Sequence, residues 1–89
     1  MTMRIRAADV DQALADAGHQ ESEYDPATQT WDPGYRAWQL HPRAAALVHD
    51  GPGRDDGLTA YTATLRAAGY HVLEDEPLDD LRRLIVTRP

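Results

Sequence analysis

Four histidines, a cluster of aromatic residues around a turn, and a dense acidic run are the side chains here that could do chemistry. Imidazoles titrate near neutral pH and ligate metals. His19 and His71 each follow a glycine, and His41 and His49 flank a tight turn across which they could approach one another. None has the i, i+4 helical spacing or the Cys/His spacing of a zinc site. They read as surface histidines, and no metal or cofactor is expected. The Asp-Gly-Pro-Gly-Arg-Asp-Asp-Gly stretch at 50–57 superficially suggests an ion or phosphate loop. It lacks the terminal Glu of an EF-hand and the Gly-Lys-Ser/Thr of a P-loop. A turn followed by a helix cap at Asp55 or Asp56 explains it equally well. There is no nucleophile elbow, no supported Ser-His-Asp order and no dinucleotide fingerprint, so catalytic residues are not expected and the chain reads as a non-enzyme.

Binding chemistry is better represented. Trp31, Tyr35 and Trp38 surround an Asp32-Pro33-Gly34 turn, with Arg36 among them. Trp, Tyr and Arg dominate the energetics of protein interfaces. Trp38 is assigned to the core, because its strand needs a large residue under the helices. Trp31, beside the turn, is harder to bury and is the leading contact residue. Glu74, Asp75 and Glu76, with Asp79 and Asp80, form an acidic loop over 74–80 that suits a basic partner surface, including mimicry of nucleic-acid phosphates. Arg82 and Arg83 stand near enough to offset its self-repulsion. The expected partner-binding set is therefore Trp31, Tyr35, Arg36, Glu74, Asp75 and Glu76. A competing expectation is a nucleic-acid-binding strip drawn from Arg36, Arg43, Arg82, Arg83 and Arg88.

Composition weighs on that choice. The chain has 89 residues, enough for one small domain, 1–89, and a formal charge of −6. Nucleic-acid binding draws on a cationic face that displaces counterions, so the acidic balance favours a protein partner or self-association as a homodimer. With no cysteine there is neither a disulfide framework nor a thiolate metal site. No apolar run is long enough to cross a bilayer, and the polar N-terminal sequence is unlike a signal-peptide core. A cytoplasmic location without membrane contact is the expectation. All nine basic residues are Arg, which fits a GC-rich bacterial genome, or a phage or mobile element in such a host.

The elements that must position these residues follow from periodicity and breakers. Val10, Ala13, Leu14 and Ala17 fall at i, i+3, i+4 and i+7, predicting a helix over 7–17 with Asp9 in or before its first turn. A weak edge strand over 19–24 is broken at Asp25-Pro26, and 28–31 continues as a ribbon. Strand 35–40 alternates Tyr35 and Ala37 against Trp38 and Leu40, and 44–49 is a second apolar strand. Helix 58–68 carries Leu58, Tyr61, Thr62 and Leu65 on one stripe. Strands follow at 70–73 and 83–88. The order α-β-β-β-α-β-β predicts an α+β fold, with two helices on one face of a mainly antiparallel sheet and the other face open to water or a partner.

Leu14-Ala15-Asp16-Ala17-Gly18 is echoed by Leu65-Arg66-Ala67-Ala68-Gly69. Both read as a final helical turn, a glycine stop and a turn into extended chain. The echo admits an αββ pseudo-repeat, and equally a common way of ending amphipathic helices.

The first five elements, α-β-β-β-α, resemble those of double-stranded-RNA-binding-type domains and of HicA toxins. HicA-like proteins carry a Gly-Ser-His segment with the active histidine on a middle strand. The corresponding stretch here is Gly34-Tyr35-Arg36-Ala37-Trp38, without histidine. The RNA-binding domains place a basic cluster at the last helix, where this chain's predicted helix has only Arg66. The resemblance is one of element order, and no activity is carried over from it. The sequence is therefore read as a non-enzymatic interaction or regulatory protein.

Overall fold

The computed structural model describes residues 3–75 and 82–89. Its elements are α1 (Ala7–Asp16), β1 (Tyr24–Asp25), β2 (Thr30–Trp31), β3 (Gly34–His41), β4 (Ala44–Asp50), α2 (Arg54–Ala67), β5 (His71–Asp75) and β6 (Arg83–Thr87). The fold is α+β. The observed order, α-β-β-β-β-α-β-β, resolves the ribbon into two short strands where the sequence suggests one. β3, β4, β6 and β5 lie in that order in one sheet, every pair antiparallel, and β1–β2 form a separate ribbon.

Both helices end in the same way. Gly18 and Gly69 take φ of 87° and 93°, a conformation in which only glycine is unstrained. His19 N–H donates to the Leu14 carbonyl and Tyr70 N–H to that of Leu65, while Gly18 and Gly69 donate to Ala15 and Arg66. This is the Schellman arrangement, and it satisfies carbonyls the helix leaves open. Leu14 and Leu65 both have no exposed surface, so each stop fixes where a core leucine sits.

α1 starts at Ala7 with Asp9 in its first turn, as expected, whereas the start of α2 differs. α2 begins at Arg54, four residues before the predicted start, so it carries Arg54 as well as Arg66. Gly53 precedes it with φ 79°, and neither Asp55 nor Asp56 is the cap; both lie in the first turn, where the helix dipole favours acids. α1 starts after Arg6 without a side-chain cap of its own. Gln39 on β3 substitutes from a distance: its Oε1 accepts from Ala7 N–H at 2.8 Å, and its Nε2 donates to the Ile5 and His41 carbonyls.

The core lies between the helices and one sheet face. Val10 and Leu14 of α1 and Leu58, Tyr61 and Leu65 of α2 meet Tyr35, Ala45, Leu47, Val72, Leu84 and Val86 of the sheet. Here the sequence reading of β3 is corrected. The alternation is as expected, but it is Tyr35, 1% exposed, that lies under the helices. Trp38 is on the opposite face, which is helix-free among the described residues. Tyr35 wins this place because its hydroxyl reaches the Asp11 carbonyl of α1, to which it donates at 3.1 Å. Its ring meets Tyr61 edge-on at 5.9 Å.

Asp11 itself is uncomfortable in this packing. Partial burial, and secondarily the nearby Glu21, raise its carboxyl above the ordinary range. A raised carboxyl pKa means the folded state holds the proton longer, so its contribution to stability is most favourable in acid and is lost as pH rises through that value. Asp11→Asn is therefore expected to raise the thermal midpoint slightly at about pH 7. The gain should vanish below about pH 4, where the carboxyl is protonated in both states. Thermal melts of both proteins at the two pH values check this.

Candidate interaction face

Alternation along the strands puts Arg36 and Trp38 of β3, Ala46 and Val48 of β4, Arg83 and Ile85 of β6, and Leu73 and Asp75 of β5 on the helix-free face. The register aligns several of them. Trp38 pairs with Ala46, Ala46 with Ile85, and Ile85 with Leu73, so one apolar row crosses the whole sheet. Leu73 is 69% exposed at its end. In the next charged row, Arg36 is opposite Val48 at one side and Arg83 opposite Asp75 at the other.

The β1–β2 ribbon sits at the Arg36 corner of this face. Trp31 is 43% exposed and its ring centroid lies 5.2 Å from that of Tyr24, itself half exposed. The Arg36 guanidinium lies 4.5 Å from the Trp31 ring centre and 5.7 Å from that of Trp38. It is also held by Asp50, with Nε donating to Oδ2 at 2.9 Å and Nη2 to Oδ1 at 3.3 Å. Two-point bonding to a carboxylate and stacking on indoles fix the guanidinium plane. The result is an ordered Tyr24–Trp31–Arg36–Trp38 corner continuous with the apolar row.

The ribbon is anchored where β3 begins. Ser22 N–H donates to the Tyr35 carbonyl at 2.7 Å and Tyr35 N–H to that of Gln20 at 2.9 Å, giving a parallel bridge between Glu21 and Tyr35. The Ser22 hydroxyl buried here has no hydrogen-bond partner among the described residues.

The other expected site residues are dispersed. Glu74 and Asp75 belong to β5 and not to a loop, and Glu76 lies outside the described residues. Glu74 accepts from Arg82 Nε at 2.6 Å, and that bond holds its carboxyl below the usual range despite partial desolvation. Arg82 also bonds Asp55, and Arg83 bonds Asp75. The arginines expected in one strip are separated. Arg36 and Arg83 are on the helix-free face, each paired with an acid. Arg43 is at the β3–β4 turn. Arg88 follows β6 and lies 5.5 Å from the Tyr70 ring centre, on the helix side.

The histidines are apart as well. His41 pairs with Ala44 and His49 with Tyr35, which places them at opposite ends of the hairpin. His49 Nε2 lies 2.9 Å from the Pro52 carbonyl, which can only accept, so Nε2–H donates there, and Nδ1 shares a 2.6 Å hydrogen bond with the Tyr61 hydroxyl. His19 Nε2 shares a 2.8 Å hydrogen bond with Thr64. Both rings tie α2 to its surroundings, a structural use. Among the described residues no group of three or more His, Asp or Glu side chains is placed to hold a metal ion, and no helix is long and apolar enough to cross a membrane.

Sequence reasoning missed Leu73, Ile85 and the outward direction of Trp38. The signal was available: β3 and β6 carry apolar residues at both parities, which means that both sheet faces are apolar. No family model, curated protein or solved structure matches this chain.

Proposed function

We propose that this chain is a non-enzymatic interaction or regulatory protein that contacts a protein partner through the helix-free sheet face and its aromatic corner. The observation that carries the reading is the half-exposed Trp31, held between Tyr24 and a guanidinium already fixed by Asp50. Side chains ordered before contact lose little freedom on binding, and Trp with Arg is the composition of interface hot spots. Asp75 at the far edge offers a charged rim, while Glu74 points to the helix side beside Arg82. The all-arginine basic set supports an accessory protein of a GC-rich bacterium, phage or mobile element, and the absence of cysteine suits a cytoplasmic setting.

Nucleic-acid binding by Arg36, Arg43, Arg82, Arg83 and Arg88 is the less favoured reading. Three of the five already face carboxylates, and the chain is net acidic. The test is affinity capture from the native host, with and without nuclease. Nuclease-resistant capture of a protein, an endogenous copy of this chain included, is expected. Trp31→Ala should weaken it by about 30-fold, the scale of a hot-spot residue. Capture that Trp31→Ala and charge reversal at Glu74 and Glu76 both leave intact, or that nuclease abolishes, would sink the proposal.

A further inference from the structure

We propose that the occupant of the helix-free face is a second copy of this chain, related by a two-fold axis running along the strands between β4 and β6. The proposal rests on the reading of this face as a protein-contact surface and names what covers it.

The pattern across the face is complementary to its own reverse. A two-fold axis parallel to the strands keeps each row at its own level and inverts strand order, so β3 of one copy lies over β5 of the other. In the apolar row, Trp38 then meets the second copy's Leu73, and the half-buried Ile85 side chains of the two copies meet beside the axis, above Ala46, which is fully buried in each copy. Apolar side chains from two sheet faces meet in this way in sheet-on-sheet packing, with strands within about 30° of alignment. In the charged row, the same operation carries Arg36 over the second copy's Asp75, twice per dimer. A single operation thus brings together the two apolar rows and the two Arg36–Asp75 corners, as an isologous contact requires.

Charge favours this partner also. Two copies of a chain carrying −6 repel, unless they meet where charge is balanced. On this face Arg36 and Arg83 are matched by Asp50 and Asp75. Excess acid lies elsewhere, as at Asp9, Asp11 and Asp16 of α1. Edge-to-edge pairing is less suited, because at the open edge of β5 Arg66 Nη2 occupies the Val72 carbonyl at 3.0 Å, a side-chain cover of the kind that blunts sheet edges. Four strands spaced about 4.8 Å apart give a face roughly 20 Å wide. That is small for a specific interface, so a micromolar dimer that dissociates on dilution is expected.

Sedimentation velocity of the full chain between about 5 and 500 µM tests this, a range that spans micromolar dissociation constants. The wild type should pass from monomer to dimer. Leu73→Glu, at a site 69% exposed and so harmless to the fold, should weaken association at least about 10-fold with thermal melting unchanged. A wild type monomeric throughout, or a dimer indifferent to Leu73→Glu, overturns the second copy as occupant. If that monomer captures a different host protein and Leu73→Glu abolishes the capture, only the choice of occupant fails. If neither Leu73→Glu nor Trp31→Ala alters any protein contact, the contact-face reading fails with it.

Discussion

Gly34→Ala should lose on the order of 3 kcal/mol or more of folding stability, a large part of what a domain of this size has. A β-carbon at position 34 would lie 2.3 Å from the Gln20 carbonyl oxygen, 2.7 Å from the Glu21 carbonyl carbon and 2.8 Å from Ser22 N. All three are backbone atoms, so no rotamer change relieves the overlap. The chain must part at 20–22 from the start of β3, breaking the Ser22–Tyr35 and Tyr35–Gln20 hydrogen bonds together. Denaturant unfolding measures the loss. Gly18→Ala is the control: nothing lies within 4 Å of its added carbon, and only its φ of 87° opposes the change, at a cost of about 1 kcal/mol. Equal effects at the two positions would mean that 20–22 is not seated on β3. Because this junction also carries the ribbon with Trp31, Gly34→Ala should dismantle the aromatic corner while Gly18→Ala leaves it.

That junction marks a limit of what the sequence discloses. The helix ends were legible, because glycine after a leucine-bearing turn has one local explanation and the structure realises it twice. The αββ echo holds through those turns and then changes character: the segment after α1 meets β3 in parallel through Glu21 and Tyr35, whereas β5 pairs antiparallel with β6. Which strand a segment joins is decided by distant residues and leaves no periodic trace. Gly34 read as a turn glycine, and its reason is instead the backbone that passes against it.

The acidic run shows a second limit. Glu74 and Asp75 have poor intrinsic strand preference, and composition places them in a loop. In the fold Arg82 and Arg83 bond them from the returning chain, and the opposite charges support pairing across the strands. Composition predicts too short a second helix for a related reason: the Gly/Asp-rich 50–57 stretch reads as a loop, yet Gly53 ends the loop and the two aspartates suit a helix start.

Tyr35→Ala should cost about 3–5 kcal/mol, the range for truncating a large buried aromatic, whereas Tyr35→Phe should cost about 1 kcal/mol or less, the net worth of one hydrogen bond. Tyr35 is among the largest fully buried side chains, and its neighbours Trp31 and Arg36 in the sequence motif lie on the other side of the sheet. The same cluster of residue types therefore splits into a core function and a contact function, and the two variants separate them. Tyr35→Phe should keep the fold and bind partners like the wild type, while Trp31→Ala should keep the fold and lose binding. Titration gives an independent check on Tyr35. Burial, with smaller contributions from Glu21, Asp11 and Tyr61, raises its phenol above the ordinary range, and burial with Asp50 does the same for Tyr61. A phenol that keeps its proton longer when folded contributes stability below its unfolded value of about 10, and loses it as pH rises through the raised folded value. Wild-type stability should accordingly fall in alkali above about pH 10, and Tyr35→Phe should flatten part of that fall. An alkaline slope identical in the two proteins would place the Tyr35 hydroxyl in water and return the residue to the contact surface.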